Sequence, residues 1–225
     1  MKIITCDKEW EKMVFSKIKK IILNSLKHSK KCSLILTGGE SVQKLYKHWA
    51  RQKIINNELI NYYYGDERCV SETSKFSNYK MTKDKLFYAA DYKKLKIHKI
   101  IGKPKSVHGE IKRYSKKIPK NPDLTLLSLG YDGHIASIFP NDESIFEKKR
   151  KLAYIKKNNS KQYRFTITPK VIKQSKNVFI FCIGKDKGYI LKKMLNNKNE
   201  ISMFPAMIAN NAIYFLDQEA AMVLN

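Results

Sequence analysis

His134 lies in the stretch Gly130-Tyr131-Asp132-Gly133-His134, directly behind the apolar run "LTLLSL" at residues 124 to 129. An imidazole has a reference pKa of about 6.5. Near neutrality it is largely neutral and can accept a proton from water. Three other polar segments follow apolar runs in the same way: Gly38-Gly39-Glu40-Ser41 after "SLILT" at 33 to 37, Asp66-Glu67-Arg68 after "INYYYG" at 60 to 65, and Lys185-Asp186-Lys187 after "NVFIFCIG" at 177 to 184. The Gly38-Gly39 pair, opening a helix with Ser41 close behind, offers backbone N–H groups and a hydroxyl to a phosphate. It reads equally as a plain strand-to-helix turn. Lys187 and Arg164 could supply the compensating charge, the arginine through a two-pronged contact. The sequence has no Ser-His-Asp spacing that marks a nucleophile and no His and carboxylate cluster at metal-ligand spacing. Metal-free attack by water is the simplest chemistry left, and it needs no cofactor.

These segments can cooperate only if the chain brings them together. The four apolar runs are short and continuous rather than alternating, which is the pattern of strands buried on both faces. Helical patterns are interleaved with them. Residues 7 to 28 carry Trp10, Met13, Val14, Ile18, Ile21 and Ile22 at helical spacing, and further helical segments are expected at 40 to 55 and 185 to 196. The order predicts an α/β three-layer sandwich: a mostly parallel, Rossmann-like central sheet flanked by helices, formed as a single domain over residues 1–225. In such a sheet every segment that follows a strand lies at the carboxyl edge, where ligands bind. The lysine- and asparagine-rich run 148 to 161 reads as a solvated face or loop.

Composition narrows the class of partner. The chain has 225 residues, with 45 Lys and Arg against 20 Asp and Glu, for a net charge of +25. Of the basic residues only Arg51, Arg68, Arg113, Arg150 and Arg164 are arginine; the lysines are spread along the whole chain. No arginine-rich arm or ribonucleoprotein signature is present, so a specific nucleic-acid role is not expected, and attraction of small anions is the better use of the charge. Cys6, Cys32, Cys69 and Cys182 form no CxxC pair and read as reduced thiols. The N-terminal residues carry charges throughout and no run approaches membrane-spanning length, so a cytoplasmic protein without a membrane partner is expected.

The stretches "LTGGESVQKLY", "GDERCVSETSKFSNYKM", "PDLTLLSLGYDGHIASIFP", "YRFTIT" and "IGKDK" resemble, in order, the successive motifs of the 6-phosphogluconolactonase family, and "FPAMIANNAIYFLD" is similar to its C-terminal strand region. The resemblance runs from about residue 33 to 220 and is most specific at the DGHIASIFP and DER…SN blocks. It implies hydrolysis of a sugar phosphate lactone, 6-phospho-D-glucono-1,5-lactone, in the oxidative pentose phosphate pathway; a monomer or weak homo-oligomer is expected. The resemblance makes His134 the base that activates water. It gives Arg68 the oxyanion or a sugar oxygen, and Asp66 either substrate hydroxyls or the placement of Arg68. An ion pair between Asp66 and Arg68 is the structural alternative. Asp132 would orient the imidazole or close the turn. The phosphate would fall to Gly38, Gly39, Ser41, Arg164 and Lys187. Glu67 receives no role, and His28, His48, His98 and His108 are expected at the surface.

Two departures from the family pattern stand out: Glu40-Ser41-Val42 where Ser-Thr-Pro is usual after the glycines, and Ser71 where a proline is usual. The Glu40 carboxylate is expected to face solvent. The glucosamine-6-phosphate deaminases resemble the chain at the same glycine loop and Asp-Gly-His turn. They typically read Phe-Asn-Glu-Pro where this chain has Ser137-Ile138-Phe139-Pro140, and Asp-Glu-Tyr where it has Asp66-Glu67-Arg68. Both differences favour the lactonase over the deaminase, and a non-catalytic basic protein on the same scaffold is the third reading.

Overall fold

The computed structural model describes residues 1–6, 8–156, 162–197 and 200–224. Seven strands, all parallel, form the central sheet: β1 (Lys2–Thr5), β2 (Cys32–Leu36), β3 (Ile60–Tyr64), β5 (Lys96–His98), β6 (Leu124–Ser128), β9 (Val178–Cys182) and β10 (Ile213–Leu216), in the order β1-β10-β9-β6-β2-β3-β5. A separate antiparallel sheet joins β4 (Asp66–Arg68), β8 (Tyr163–Ile167) and β7 (Leu152–Lys156), in the order β4-β8-β7.

Successive side chains of a strand point to opposite faces, and here both faces are apolar. Leu34 and Leu36 of β2, Leu124 and Leu126 of β6 and Phe181 of β9 enter one core, filled from outside by Val14, Ile18 and Ile22 of helix α1 (Trp10–Ser29) and by Leu45, Tyr46 and Trp49 of helix α2 (Gln43–Ala50). Ile35, Leu127 and Ile180 enter the other. There they meet Tyr114 of helix α4 (Val107–Lys117), Leu191 of helix α6 (Lys185–Asn196), and Phe165 and Ile167 of the small sheet. The three layers follow from that pattern. Helices α3 (Asn78–Lys85), α5 (Pro169–Gln174) and α7 (Gln218–Met222) complete the set.

From β2 the chain runs outward on one side to β3 and β5, then returns to β6 on the other side of β2 and continues outward to β9 and β10. The strand order therefore reverses between β2 and β6. Their carboxyl ends diverge there and open the crevice in which sheets of this kind bind ligands.

The run 148 to 161 corrects one expectation. Residues 152–156 form β7, with Leu152, Ala153 and Ile155 buried. The flanking lysines conceal a mostly buried strand that pairs with β8. Residues 157–161 of that run, and Asp7 at the start of the predicted first helix, lie outside the described residues. The histidines also differ in part from expectation. His28 and His108 are exposed, but His98 stacks on Tyr63 with ring centroids 4.5 Å apart and its Nε2 is 3.0 Å from Asn61 Oδ1, while His48 meets the edge of Phe15. None of these four lines the crevice.

Candidate active site

The crevice is a cavity of about 240 Å³, and the four segments that follow β2, β3, β6 and β9 converge on it. Gly38, Gly39, Ser41, Asp66, Arg68, His134, Arg164 and Lys187 all line it. Asp132 does not; it stands behind the His134 ring.

The glycine loop takes its shape from two constraints. Gly39 has φ 91°, a conformation in which a side chain is strained. A Cβ on Gly38 would fall inside the Asn78 amide. After Gly39 the chain enters a 3-10 turn, Glu40–Val42, that runs into α2. Ser41 Oγ accepts a hydrogen bond of 2.6 Å from Lys187 Nζ, and Ser128 Oγ, at the end of β6, accepts a second of 3.0 Å. An ammonium has three donors, so one remains. The Lys187 ammonium also lies 5.4 Å from the centre of the Tyr131 ring. Burial pushes the lysine pKa below its ordinary value.

Two guanidinium groups add to this charge. Arg164 projects from β8 and Arg68 from the end of β4, paired in register across the small sheet. Arg68 donates from Nη1 to the Phe76 carbonyl at 2.5 Å, and Arg164 Nη1 lies 3.4 Å from Ser137 Oγ. Among the described residues neither buried Nε–H has a hydrogen-bond partner. A buried donor left unmade costs about 1–3 kcal/mol, so both groups favour an acceptor brought in by a ligand. Burial lowers the Arg164 pKa; Asp66 opposes that shift and the neighbouring Arg68 adds to it.

Asp66 is already occupied. Its Oδ1 accepts from Asn78 Nδ2 at 3.0 Å and its Oδ2 from Ser137 Oγ at 2.6 Å. Among the described residues no ion pair joins Asp66 to Arg68. The carboxylate instead reaches Arg164 through the Ser137 hydroxyl.

The turn after β6 presents His134. Asp132 Oδ1 accepts both the His134 backbone N–H, at 3.1 Å, and the ring Nδ1–H, at 2.5 Å. One carboxylate therefore closes the turn and orients the ring, so the two roles considered for it coincide. Burial disfavours the Asp132 anion, but the His134 hydrogen bond and charge together outweigh it and hold the pKa below the usual carboxylate value. With Nδ1 donating, Nε2 carries the lone pair. Gly133 has φ 87°, and a Cβ there would meet the Phe204 ring at 2.8 Å. Ala136, on the cavity wall, holds φ 52°, which costs a non-glycine residue roughly 1–2 kcal/mol. Phe139 lies against the His134 ring at 4.9 Å and under the Arg164 guanidinium at 5.5 Å.

Sequence reasoning missed Asn78, Ser128 and Ser137. Each is a small polar residue whose role comes from a long-range partner. Only Asn78 had a local signal beside it, the Ser77 that caps α3. Among the described residues no group of three or more His, Cys, Asp or Glu side chains could hold a metal ion.

Comparisons with known proteins address the family and the fold. A family model described as glucosamine-6-phosphate isomerases/6-phosphogluconolactonase matches residues 7–215. The 6-phosphogluconolactonase of Aggregatibacter actinomycetemcomitans is 30% identical over 216 residues, covering 91% of each chain. The solved 6-phosphogluconolactonase of Trypanosoma cruzi is 26% identical with a TM-score of 0.82, covering 98% of this chain and 96% of its own. A monomeric glucosamine-6-phosphate deaminase of solved structure also reaches a TM-score of 0.82, at 20% identity and covering 99% of this chain and 100% of its own, so the fold alone does not separate the two activities. On the family match and the 30% identity together, the chain belongs to the glucosamine-6-phosphate isomerase/6-phosphogluconolactonase family.

Proposed function

We propose that the protein hydrolyses 6-phospho-D-glucono-1,5-lactone to 6-phosphogluconate, the lactone-opening step of the oxidative pentose phosphate pathway. The observation that carries the reading is the Asp132–His134 pair at 2.5 Å, which leaves Nε2 as a proton acceptor on a cavity that also holds Lys187, Arg164 and Arg68. The named 6-phosphogluconolactonase relatives support it.

In the proposed reaction His134 Nε2 takes a proton from water as the water oxygen bonds to the lactone carbonyl carbon. The imidazolium is stabilised by the ionised Asp132. The carbonyl electrons move onto oxygen, and the Arg68 guanidinium, with its unpartnered Nε–H, offsets that charge. Collapse of the tetrahedral intermediate breaks the bond to the ring oxygen, which recovers the proton from His134. Asp66, held by Asn78 and Ser137, fixes the polar floor of the site. The phosphate is received by Lys187, Arg164, Ser41 and the backbone of Gly38 and Gly39. A general base contributes about 10² to 10⁴ in rate, which with oxyanion stabilisation is enough for a lactone that already hydrolyses in water. No step calls on a cofactor.

Deamination is the poorer fit. Where deaminases carry a glutamate before the proline, this chain has Phe139 before Pro140, buried with Ala153 and Ile155 in an apolar cluster. No carboxylate is available at that position for ring opening and amine chemistry.

The protein is proposed to act in the cytoplasm, as a monomer or weak homo-oligomer; no described helix is long and apolar enough to cross a membrane. The test is turnover of freshly generated 6-phosphogluconolactone above the spontaneous rate, beside glucosamine 6-phosphate. Lactone turnover that falls at least about a hundredfold in His134→Ala, with thermal stability nearly unchanged, is the expected result. Near wild-type turnover in that variant removes His134 from the mechanism.

A further inference from the structure

Glu67 is the one member of the Asp66-Glu67-Arg68 strand whose side chain does not line the cavity. It is 3% exposed. Its carboxylate has no cation partner among the described residues and yet accepts four hydrogen bonds: Oε1 from the backbone N–H of Arg68 at 2.8 Å and of Asn78 at 2.8 Å, and Oε2 from the backbone N–H of Tyr79 at 2.8 Å and from Ser77 Oγ at 2.9 Å. Three of those donors belong to the first turn of α3 and its capping residue. That turn would otherwise expose unpaired N–H groups. One buried anion therefore fastens the start of α3 to β4.

What it fastens is the site. The Asn78 backbone, held by Glu67 Oε1, sets the amide that bonds Asp66 Oδ1 and the Asp66 carbonyl, both at 3.0 Å. The same amide packs over Gly38, where a Cβ would overlap it. Phe76, immediately before Ser77, provides the carbonyl that accepts the Arg68 guanidinium. Arg68 and Asn78 flank the cavity from two elements separated by the segment 69–77, and Glu67 is the common anchor of both ends of that segment. A buried carboxylate is an expensive group to keep, and an apolar residue would pack behind β4 without it. Its use here is geometric.

We propose that Glu67 is a positioning residue for the lactone hydrolysis: its carboxylate fixes residues 76–79 against β4 and thereby holds the Arg68 guanidinium and the Asn78 amide in the geometry that the reaction uses. This rests on the function proposed above, and the two fail differently. Wild-type protein without lactonase activity removes the function. A wild-type lactonase indifferent to Glu67 removes only this inference.

The test compares Glu67→Gln, Glu67→Asp and Ser77→Ala with the wild type, reading kcat and KM on the phosphorylated lactone, circular dichroism, and the side-chain amide resonances of Asn78 by NMR. In Glu67→Gln an amide NH₂ faces N–H donors that needed an acceptor. The expected result is a folded protein whose kcat falls at least tenfold while KM changes less than threefold, with the Asn78 amide resonances shifted toward solvent values. Glu67→Asp, which retains the charge but is one methylene shorter, is expected to recover part of the lost kcat. Folded Glu67→Gln with kcat within twofold of wild type overturns the proposal. So does a loss of kcat with unmoved Asn78 resonances. If Glu67→Gln does not fold, Ser77→Ala, which removes one of the four donors, decides. A severalfold lower kcat with a displaced Asn78 amide supports the role, and an unchanged kcat overturns it.

Discussion

The His134 ring lies so close over the Gly130 backbone that a Cβ on Gly130 would fall within the imidazole. The two are also joined along the main chain, with the Gly130 N–H donating to the His134 carbonyl at 2.8 Å. Gly130 lies two residues beyond β6 and begins the turn, so the absence of its side chain lets the ring fold back against the strand end and meet Asp132. Gly130→Ala is therefore expected to displace the imidazole without unfolding the sheet. The expected outcome is a kcat loss approaching that of His134→Ala, a Tm within several degrees of wild type and KM little changed. Wild-type turnover in Gly130→Ala would show that the ring works from another rotamer.

Much of the architecture is legible in the sequence because burial on both faces writes a continuous apolar run. Val178–Cys182 and Leu124–Ser128 lie inside the predicted strands, and α6 spans the predicted residues 185 to 196. The strands that escaped notice are those with weak or concealed patterns. Lys2–Thr5 and Lys96–His98 are short sheet edges, the first mostly exposed. Asp66–Arg68 is a polar strand of three residues, and Leu152–Lys156 lies among lysines. The site divides along the same line. Gly38, Gly39, His134 and Lys187 could be read because each follows a recognisable strand. The roles of Asn78 and Ser137 could not, since both depend on Asp66, which is 12 and 71 residues away in the chain.

Asp132 combines two functions that substitution can separate. Asparagine retains an acceptor for the His134 backbone N–H but loses the charge that stabilises an imidazolium; alanine loses both. Near neutral pH Asp132→Asn is expected to lower kcat roughly tenfold and Tm modestly, with KM near wild type, and Asp132→Ala to lower both kcat and Tm further. The pH dependence has a defined sign. The folded-state pKa of this carboxylate is held down, so its contribution is complete above the unfolded value of about 3.9 and disappears as pH falls through the lower folded value. The stability difference between Asp132→Asn and wild type should accordingly shrink in acid. A difference that persists unchanged below pH 3 would trace it to the turn rather than the charge.

Lys187 and Arg164 are expected to act on the phosphate end of the substrate. Charge-assisted hydrogen bonds of this kind are worth about 1.5–3 kcal/mol each. Replacement of either residue by alanine should therefore raise KM for the phosphorylated lactone about ten- to a hundredfold, with a much smaller change on unphosphorylated gluconolactone. Equal losses on both substrates would assign the pair to the lactone end or to the fold.

Glu40 is exposed, as its sequence context predicts, yet it also forms part of the cavity wall, and its charge reaches the buried Lys187 ammonium. A carboxylate at a helical start is favourable to the local dipole by about 0.3–1 kcal/mol, so Glu40→Ser should cost a little stability. An incoming phosphate would meet that carboxylate as a like charge. Between exposed groups several ångströms apart in water the repulsion is about 1 kcal/mol or less, and salt screens it over a Debye length of about 8 Å at physiological ionic strength. Glu40→Ser is therefore expected to lower KM for the phosphorylated lactone twofold to fivefold at low ionic strength. The advantage should fade as salt is raised, with kcat and the KM for unphosphorylated gluconolactone unmoved. An unchanged KM at low salt would place the carboxylate's effect wholly in solvent. A drop larger than fivefold that survives high salt would mean that Glu40 obstructs the phosphate directly, as a side chain in the site rather than a charge at its mouth.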